Sequence, residues 1–269
     1  MHRELITSRQ NPRVKDVVKL RSARERVKCG RFVVDGSREI ARAVAAGVSV
    51  LEAFACEDLT ASDEDGDAVK AATAASQAAF DVSRVVMERL CFGERAGPVL
   101  IVAETPVRSL ADLVLPERPL VAVVESLEKP GNVGAVLRSA DGAGVDAVVV
   151  ADPVSDLFNP NTIRASLGTV FGPNVCTATS AETIAWLAKR GVRAVATMPE
   201  AAADYTDADL TGPLAIVLGS EAEGLSPAWE SSAEGVRLPM AGIADSLNVS
   251  ATAAVLFYEA RRQREGMTG

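Results

Sequence analysis

The stretch LVAVVESLEKPGNVGAVLR, from Leu120 to Arg138, sets a short apolar run against a turn and the start of a helix. Val121 to Val124 is continuous apolar sequence, the pattern of a strand covered on both faces of a parallel sheet. Pro130 and Gly131 turn the chain, Asn132 stands where a cap is expected, and a helix is predicted over Asn132 to Ala143. Arg138 follows Asn132 by six residues, so the two need not share a helix face. Taken alone, the stretch reads equally as a capped helix carrying one surface arginine.

Toward the C-terminus the same rhythm continues. Ala147 to Val150, Arg193 to Thr197 and Leu214 to Leu218 are further short apolar runs. Helices are predicted over Asn161 to Leu167, Ala181 to Arg190 and Leu247 to about Arg264. An α/β domain with a parallel sheet is therefore expected over 120–269. Ligands of such sheets bind beyond the carboxyl ends of the strands. The informative loops are then those after Val124, Val150, Thr197, Leu218 and Leu238. Gly142 to Ala147 matches the spacing G-x-G-x-x-A, but its glycines end a helix and lead into a strand. Pyrophosphate binding needs the reverse order, so NAD is excluded.

Toward the N-terminus, residues 1–103 alternate in the same way and predict a smaller α/β layer. Helices are expected from Ser8 (as cap) to Leu20, from Ser37 to Ala46 before Gly47, from Asp67 to Ala78, and after Ser83 to about Leu90. Strands are expected at 32–34, 50–55, 80–82 and 98–103. Pro106, Pro116 and Pro119 mark 104–119 as the linker.

The 269 residues carry a net charge of −8, unevenly placed. Residues 1–42 hold 12 basic and 5 acidic side chains, the remainder 16 and 31. A basic arm on an acidic body suits contact with phosphates or a solvated helix without a partner. The only histidine is His2, which excludes a Ser-His-Asp triad and a histidine-based zinc site. Cys29, Cys56, Cys91 and Cys176 are widely spaced, so buried free thiols are expected, and no metal. Neither a signal peptide nor a membrane span is legible, and a soluble cytoplasmic protein is expected.

Three further loops hold unusual residues. Asn159 to Gly168 carries Arg164 and Ser166 on a short helix. Leu218 to Leu225 (LGSEAEGL) sets glycines beside acids. It lacks the Lys-Ser/Thr of a phosphate loop, and its carboxylates suit a cation or a structural hydrogen bond. Ile243 to Ser250 (IADSLNVS) crowds small and amide side chains at the start of the last helix. Ser246 would suffice as its cap, which leaves Asn248 and Ser250 in a first turn that they weaken.

PGNVGAVLR at 130–138, RAS at 164–166, LGSEAEG at 218–224 and SLNVS at 246–250, in this order, resemble the SpoU (TrmH-like) family of SPOUT-class RNA 2′-O-ribose methyltransferases. FVVDG at 32–36 and the helix to Gly47 resemble that family's L30e-like substrate-binding extension. There are departures: Lys129 stands where members often carry an acid, and Ala96-Gly97 where a Gln-Gly pair is frequent. The resemblance implies a C-terminal trefoil-knotted SPOUT domain with an N-terminal L30e-like domain, and S-adenosylmethionine as cofactor. It places the cofactor near Thr197, Leu218, Gly219, Leu238, Met240 and Leu247. It also implies a homodimer and a structured RNA substrate, ribosomal of the 23S type ahead of transfer RNA, with antibiotic resistance as one possible setting.

By the same resemblance, Arg138 handles the ribose 2′-hydroxyl, either transiently neutral beside an RNA phosphate or as a fixed cation at the developing alkoxide. Asn132, Glu221, Ser246 and Asn248 order the site around it. Arg164 and Ser166, with Arg13, Lys15 and Lys19 of the basic arm, are the expected RNA contacts. The alternatives are a catalytically silent RNA-binding or assembly protein on this fold and an unrelated nucleotide-binding α/β enzyme. The missing phosphate loop argues against the last.

Overall fold

The apolar runs beginning at Leu120, Ala147, Arg193 and Leu214 all form strands, and all are parallel. A computed structural model describes residues 3–93 and 96–266; His2 lies outside them. The chain divides into two units, Met1–Pro106 with Phe158–Gly172, and Val107–Leu157 with Pro173–Gly269.

The first unit holds β1 (Glu4–Ile6), α1 (Pro12–Lys19), α2 (Ala23–Cys29), β2 (Arg31–Asp35), α3 (Ser37–Ala45), β3 (Val50–Ala55), α4 (Asp63–Ala75), β4 (Ser76–Val82), α5 (Arg84–Leu90) and β5 (Val99–Glu104). Its sheet runs β1-β4-β3-β5-β2, with β5 antiparallel to both neighbours. Val14 and Val17 of α1, with Leu20 just beyond it, share a core with Val86, Met87 and Leu90 of α5 and with Phe54 and Leu100 of the sheet. Helix α1 starts later than expected, because Asn11 rather than Ser8 caps it, accepting from the Arg13 amide at 2.9 Å ahead of Pro12. Helix α4 starts earlier than expected: Ser62 caps it and Asp63, Glu64 and Asp65 fill its first turn, where carboxylates oppose the helix dipole. Ser83 precedes α5, but its hydroxyl makes no capping bond.

The second unit holds β6 (Leu120–Glu125), α6 (Pro130–Ala143) and β7 (Ala147–Ala151). The chain then contributes α7 (Pro160–Ala165) to the first unit. It continues with β8 (Val175–Ala178), α8 (Ser180–Lys189), β9 (Arg193–Thr197), β10 (Ala203–Asp204), β11 (Leu214–Leu218), α9 (Pro227–Glu230), β12 (Glu234–Arg237) and α10 (Val249–Glu265). The strands form one parallel sheet in the order β10-β12-β9-β11-β6-β7-β8. Val121, Val123, Val149, Ala196 and Val217 face one core with Trp229, and the alternate residues of β6 and β11 are buried as well. Burial on both sides is why these strands read as unbroken apolar runs. Gly144 ends α6 in a left-handed conformation at φ +74°, which only glycine adopts freely, and β7 follows. The G-x-G-x-x-A stretch is thus a helix stop.

Segment 158–172 joins the first unit through an aromatic cluster. Phe32 lies 4.8 Å from Phe158 and 6.0 Å from Phe171, centroid to centroid. Such pairs add about 0.5–1.5 kcal/mol each beyond their burial. Arg42 also donates to the Leu167 carbonyl at 2.6 Å. Three cysteines are buried as expected, and burial raises the Cys91 and Cys176 thiols to about 11. Cys29 is exposed, on the solvent side of a helix that the apolar pattern did not reveal. Among the described residues no helix is long and apolar enough to cross a membrane.

Candidate functional site

Beyond the carboxyl ends of β9, β11 and β12 the second unit opens a cleft of about 350 Å³. Thr197, Leu218, Gly219, Leu238, Met240 and Leu247 all line it, together with Glu221 and Ser246. Backbone geometry shapes its floor. The amides of Ser220 and Gly224 each donate to the other's carbonyl at 3.0 Å, closing a tight turn with Gly224 at φ +70°. A Cβ on Gly219 would lie 2.3 Å from the Gly224 carbonyl carbon and 2.6 Å from the Leu225 nitrogen. Backbone cannot yield that distance, so Gly219→Ala is expected to push the 220–224 turn outward. The measurable result is at least a tenfold weaker affinity of the cleft for its ligand by calorimetry, with about 1–3 kcal/mol lost in stability, the usual range for overpacking.

That turn carries Glu221, where distant parts of the chain meet. Its Oε1 accepts from the Asn132 amide at 2.6 Å and from the Asn248 amide at 2.9 Å. Lys129 Nζ lies 3.5 Å from Oε2. Asn132 does not cap α6 as the sequence suggested. Lys129 holds the cap position and Pro130 starts the helix, which places Asn132 in the first turn with its side chain free to reach across. Asn248, expected inside the last helix, is instead the cap of α10. Its Oδ1 accepts from the Ser250 amide at 2.9 Å and from the Ser250 hydroxyl at 2.6 Å, while its NH₂ serves Glu221. The apparent helix weakness of SLNVS is the signature of a cap that works in two directions.

Arg138 is not part of this cleft. It lies on the exposed side of α6 and makes no hydrogen bond or ion pair among the described residues. Ser246 is exposed at the cleft rim.

The expected RNA contacts all lie in the first unit, and three of them are engaged in folding it. Arg164 forms a two-pronged ion pair with Asp35, Nε to Oδ1 at 3.0 Å and the terminal nitrogen to Oδ2 at 2.6 Å. Asp35 is buried and also accepts from the Phe92 amide. Ser166 is fully buried; its hydroxyl donates to the Ile163 carbonyl and accepts from the Gly168 amide. Both therefore shape the segment: the Ser166 hydroxyl is used within it, and Arg164 commits two of its three guanidinium nitrogens to Asp35. Arg13 pairs with Glu52 at 2.6 Å and covers the Phe80 ring. Lys15 is exposed and has no ion-pair partner among the described residues, and Lys19 pairs with Asp16.

One residue of consequence was missed. Glu125, only 2% exposed, ends β6 and receives hydrogen bonds from the Ser226 amide and hydroxyl (2.7 Å each), from the Trp229 indole (3.1 Å) and from the Ser180 hydroxyl. An acid closing the apolar run LVAVV was the available signal. No group of metal-ligating side chains occurs among the described residues. The cleft is acidic: Glu221, Glu223 and Asp245 line it, and its one lining arginine, Arg237, is paired with Asp204. It therefore favours a cationic ligand with apolar parts.

Residues 119–258 match the SpoU rRNA Methylase family, and residues 11–103 match the MRM3-like substrate binding domain. The chain is 28% identical over 262 residues to 23S rRNA (guanosine(2553)-2′-O)-methyltransferase RlmP of Bacillus subtilis, covering 95% of this chain and 98% of that protein. It is 34% identical over 173 residues to the 23S rRNA (uridine(2479)-2′-O)-methyltransferase of Streptomyces viridochromogenes, covering 62% of this chain and 60% of that one. Among solved structures, an RNA 2′-O ribose methyltransferase superimposes with a TM-score of 0.83 at 41% identity, covering 96% of this chain and 98% of that one. The AdoMet-bound rRNA methyltransferase of Sinorhizobium meliloti superimposes with a TM-score of 0.87 at 26% identity, covering 96% and 97%.

Proposed function

The chain belongs to the SpoU rRNA methylase family, and from that premise we propose that it methylates a ribose 2′-hydroxyl of 23S-type ribosomal RNA from S-adenosylmethionine, as a cytoplasmic homodimer. The observation that carries this is Glu221, which draws Asn132 and Asn248 together beside the acidic cleft.

The cleft fits the cofactor. Leu218, Leu238, Met240 and Leu247 offer apolar walls for a nucleoside, and Glu221, Glu223 and Asp245 offer negative charge to a sulfonium and an ammonium. When bound there, the cofactor supplies an activated methyl group. The chain's own task is to hold the ribose oxygen in line and to manage its proton. Alignment alone is worth up to roughly 7–11 kcal/mol of a barrier. Glu221 fixes the turn, Asn132 and Asn248 fix the two helix starts on either side of it, and Ser246 stands at the rim to orient the ribose.

Arg138 is the residue assigned to the oxygen. A guanidinium is too weak an acid to give up its proton readily near neutral pH, so of its two roles the fixed cation at the developing alkoxide is favoured. Its exposure on α6, away from the cleft of its own chain, is the reason for a dimer: a second copy packed on α6 brings the guanidinium into a complete site. The trefoil knot of this unit is part of the same proposal, and the family match over 119–258 is what supports it.

Two measurements test the proposal together. Calorimetry is expected to detect one S-adenosylmethionine site per chain. Mapping of 2′-O-methyl groups on 23S rRNA from cells with and without the protein is expected to show the loss of a single site. Cofactor binding without any lost methyl group would overturn the rRNA assignment, and absence of cofactor binding would favour a silent RNA-binding protein.

A further inference from the structure

The longest unbroken stretch of the cleft wall is a turn that a strand holds at one end only. Every residue from Gly219 to Gly224 lines the cleft. The chain enters this turn from Leu218 of β11, which pairs with Val124 of β6. It leaves the turn for Ser226, which stands at the cap position of α9. No strand reaches Ser226, but Glu125, the residue after Val124 in β6, does. Ser226 gives that carboxylate both of its donors, the amide to Oε2 and the hydroxyl to Oε1, each at 2.7 Å. We infer that Glu125 is a positioning residue for the cofactor: by gripping Ser226 it sets where the turn, and Glu221 on it, stands in the cleft. The inference rests on the S-adenosylmethionine reading of that cleft and names what keeps its wall in place.

Two routes lead from Glu125 to one contact. Along the chain, seven residues on, is Asn132. Through Ser226 it reaches the turn that carries Glu221, and Asn132 and Glu221 meet at 2.6 Å. The acid therefore governs both partners of the bond that joins the two loops. Its own place is fixed from several sides. The Ser180 hydroxyl of α8 and the Trp229 indole also donate to Oε1, and β6 pairs with β7 as far as Glu125 and Ala151. All four donors are neutral. A carboxylate costs more to bury than an apolar side chain, so packing alone does not call for one here. A buried acceptor whose donors are all engaged fixes their positions more tightly than apolar contact does. Gly219 transmits that position, because the start of the turn lies directly against the backbone of Gly224 and Leu225.

The test pairs Ser226→Ala with Ser180→Ala. Each removes one neutral hydroxyl from Oε1 of the same buried carboxylate, but only Ser226 adjoins the turn. Both are measured well below their melting temperatures, by calorimetry with S-adenosylmethionine and by hydrogen exchange of the Ser220 and Gly224 amides, which bond across the turn. Ser226→Ala is expected to bind the cofactor about fivefold more weakly, the effect of one lost hydrogen bond, and to exchange both amides faster by a similar factor. Ser180→Ala is expected to keep wild-type affinity and exchange, although its melting temperature falls as far. Glu125→Gln, which sets an amide NH₂ against the Ser226 N–H, is expected to weaken cofactor binding further, by about tenfold. Equal cofactor affinity in the two serine variants, whether both are unchanged or both weakened, overturns the inference and leaves the proposed function standing: Glu125 then holds the fold and not the turn. A wild-type chain that binds no S-adenosylmethionine overturns the proposed function and, with it, the cofactor part of the inference. The exchange rates then decide the rest, since faster Ser220 and Gly224 amides in Ser226→Ala alone uphold Glu125 as the anchor of the turn.

Discussion

Arg138→Ala is expected to lower the single-turnover rate of methyl transfer by about 10²–10³-fold, the effect of deleting one preorganised donor to a developing oxyanion. Little else is expected to change. The side chain is exposed and has no partner among the described residues, so its removal uncovers no buried group, and the melting temperature should stay within about 1 °C. Arg138→Lys separates the two roles. If a fixed cation is what matters, lysine restores part of the rate at pH 7. That rescue then fades as pH rises toward the lysine reference value of about 10.4, whereas the wild type keeps its charge throughout. If a transiently neutral base is what matters, the lysine variant gains rate over the same interval. Wild-type turnover in Arg138→Ala ends both accounts.

What the sequence reveals about this site and what it hides have physical reasons. The four long strands of the second unit are legible because both faces are buried, so nothing polar interrupts them. β12 is not, since only Val236 of its four residues is buried. β1 hides for the same reason, with Ile6 its one buried residue. Helix α2 escapes notice because its buried residue is Arg26, which donates to the Leu20 carbonyl at 2.7 Å and the Arg21 carbonyl at 3.0 Å. A helix anchored by a guanidinium leaves no apolar period to read. The residues of the cleft are legible through the oddity of their loops. Their hydrogen bonding is not, because Asn132 and Glu221 are 89 positions apart. Arg164 is the sharpest case. As an arginine on a short helix it suggests a phosphate contact, but its partner Asp35 lies 129 positions away and is itself buried, so only the folded chain reveals the pair.

Glu125→Ala is expected to cost about 3–5 kcal/mol of unfolding free energy, more than any other single change in the second unit considered above. The carboxylate is the common acceptor for four donors from two segments: α8 through Ser180, and the start of α9 through Ser226 and Trp229. Removing it strands the indole N–H of a fully buried tryptophan and a backbone amide together, each an unsatisfied donor worth about 1–3 kcal/mol. The hydroxyls of Ser180 and Ser226 can rotate toward other acceptors, so the sum is less than four separate losses. Ser126, next in the chain, has a left-handed backbone at φ +54°, a conformation that a non-glycine residue holds only when its surroundings impose it. The Glu125 cluster lies directly beside that turn and is well placed to impose it. Thermal unfolding should therefore fall by about 10 °C, at roughly 2–4 °C per kcal/mol for a domain of this size. Glu125→Gln keeps the volume and one acceptor but turns an amide toward the Ser226 N–H, so it should recover only part of the loss. Ser180→Ala removes a single donor and should cost about 1 kcal/mol. A melting temperature of Glu125→Ala within about 2 °C of wild type would mean that water or a shifted side chain satisfies these donors, and that the buried acid is not what holds the turn after β6.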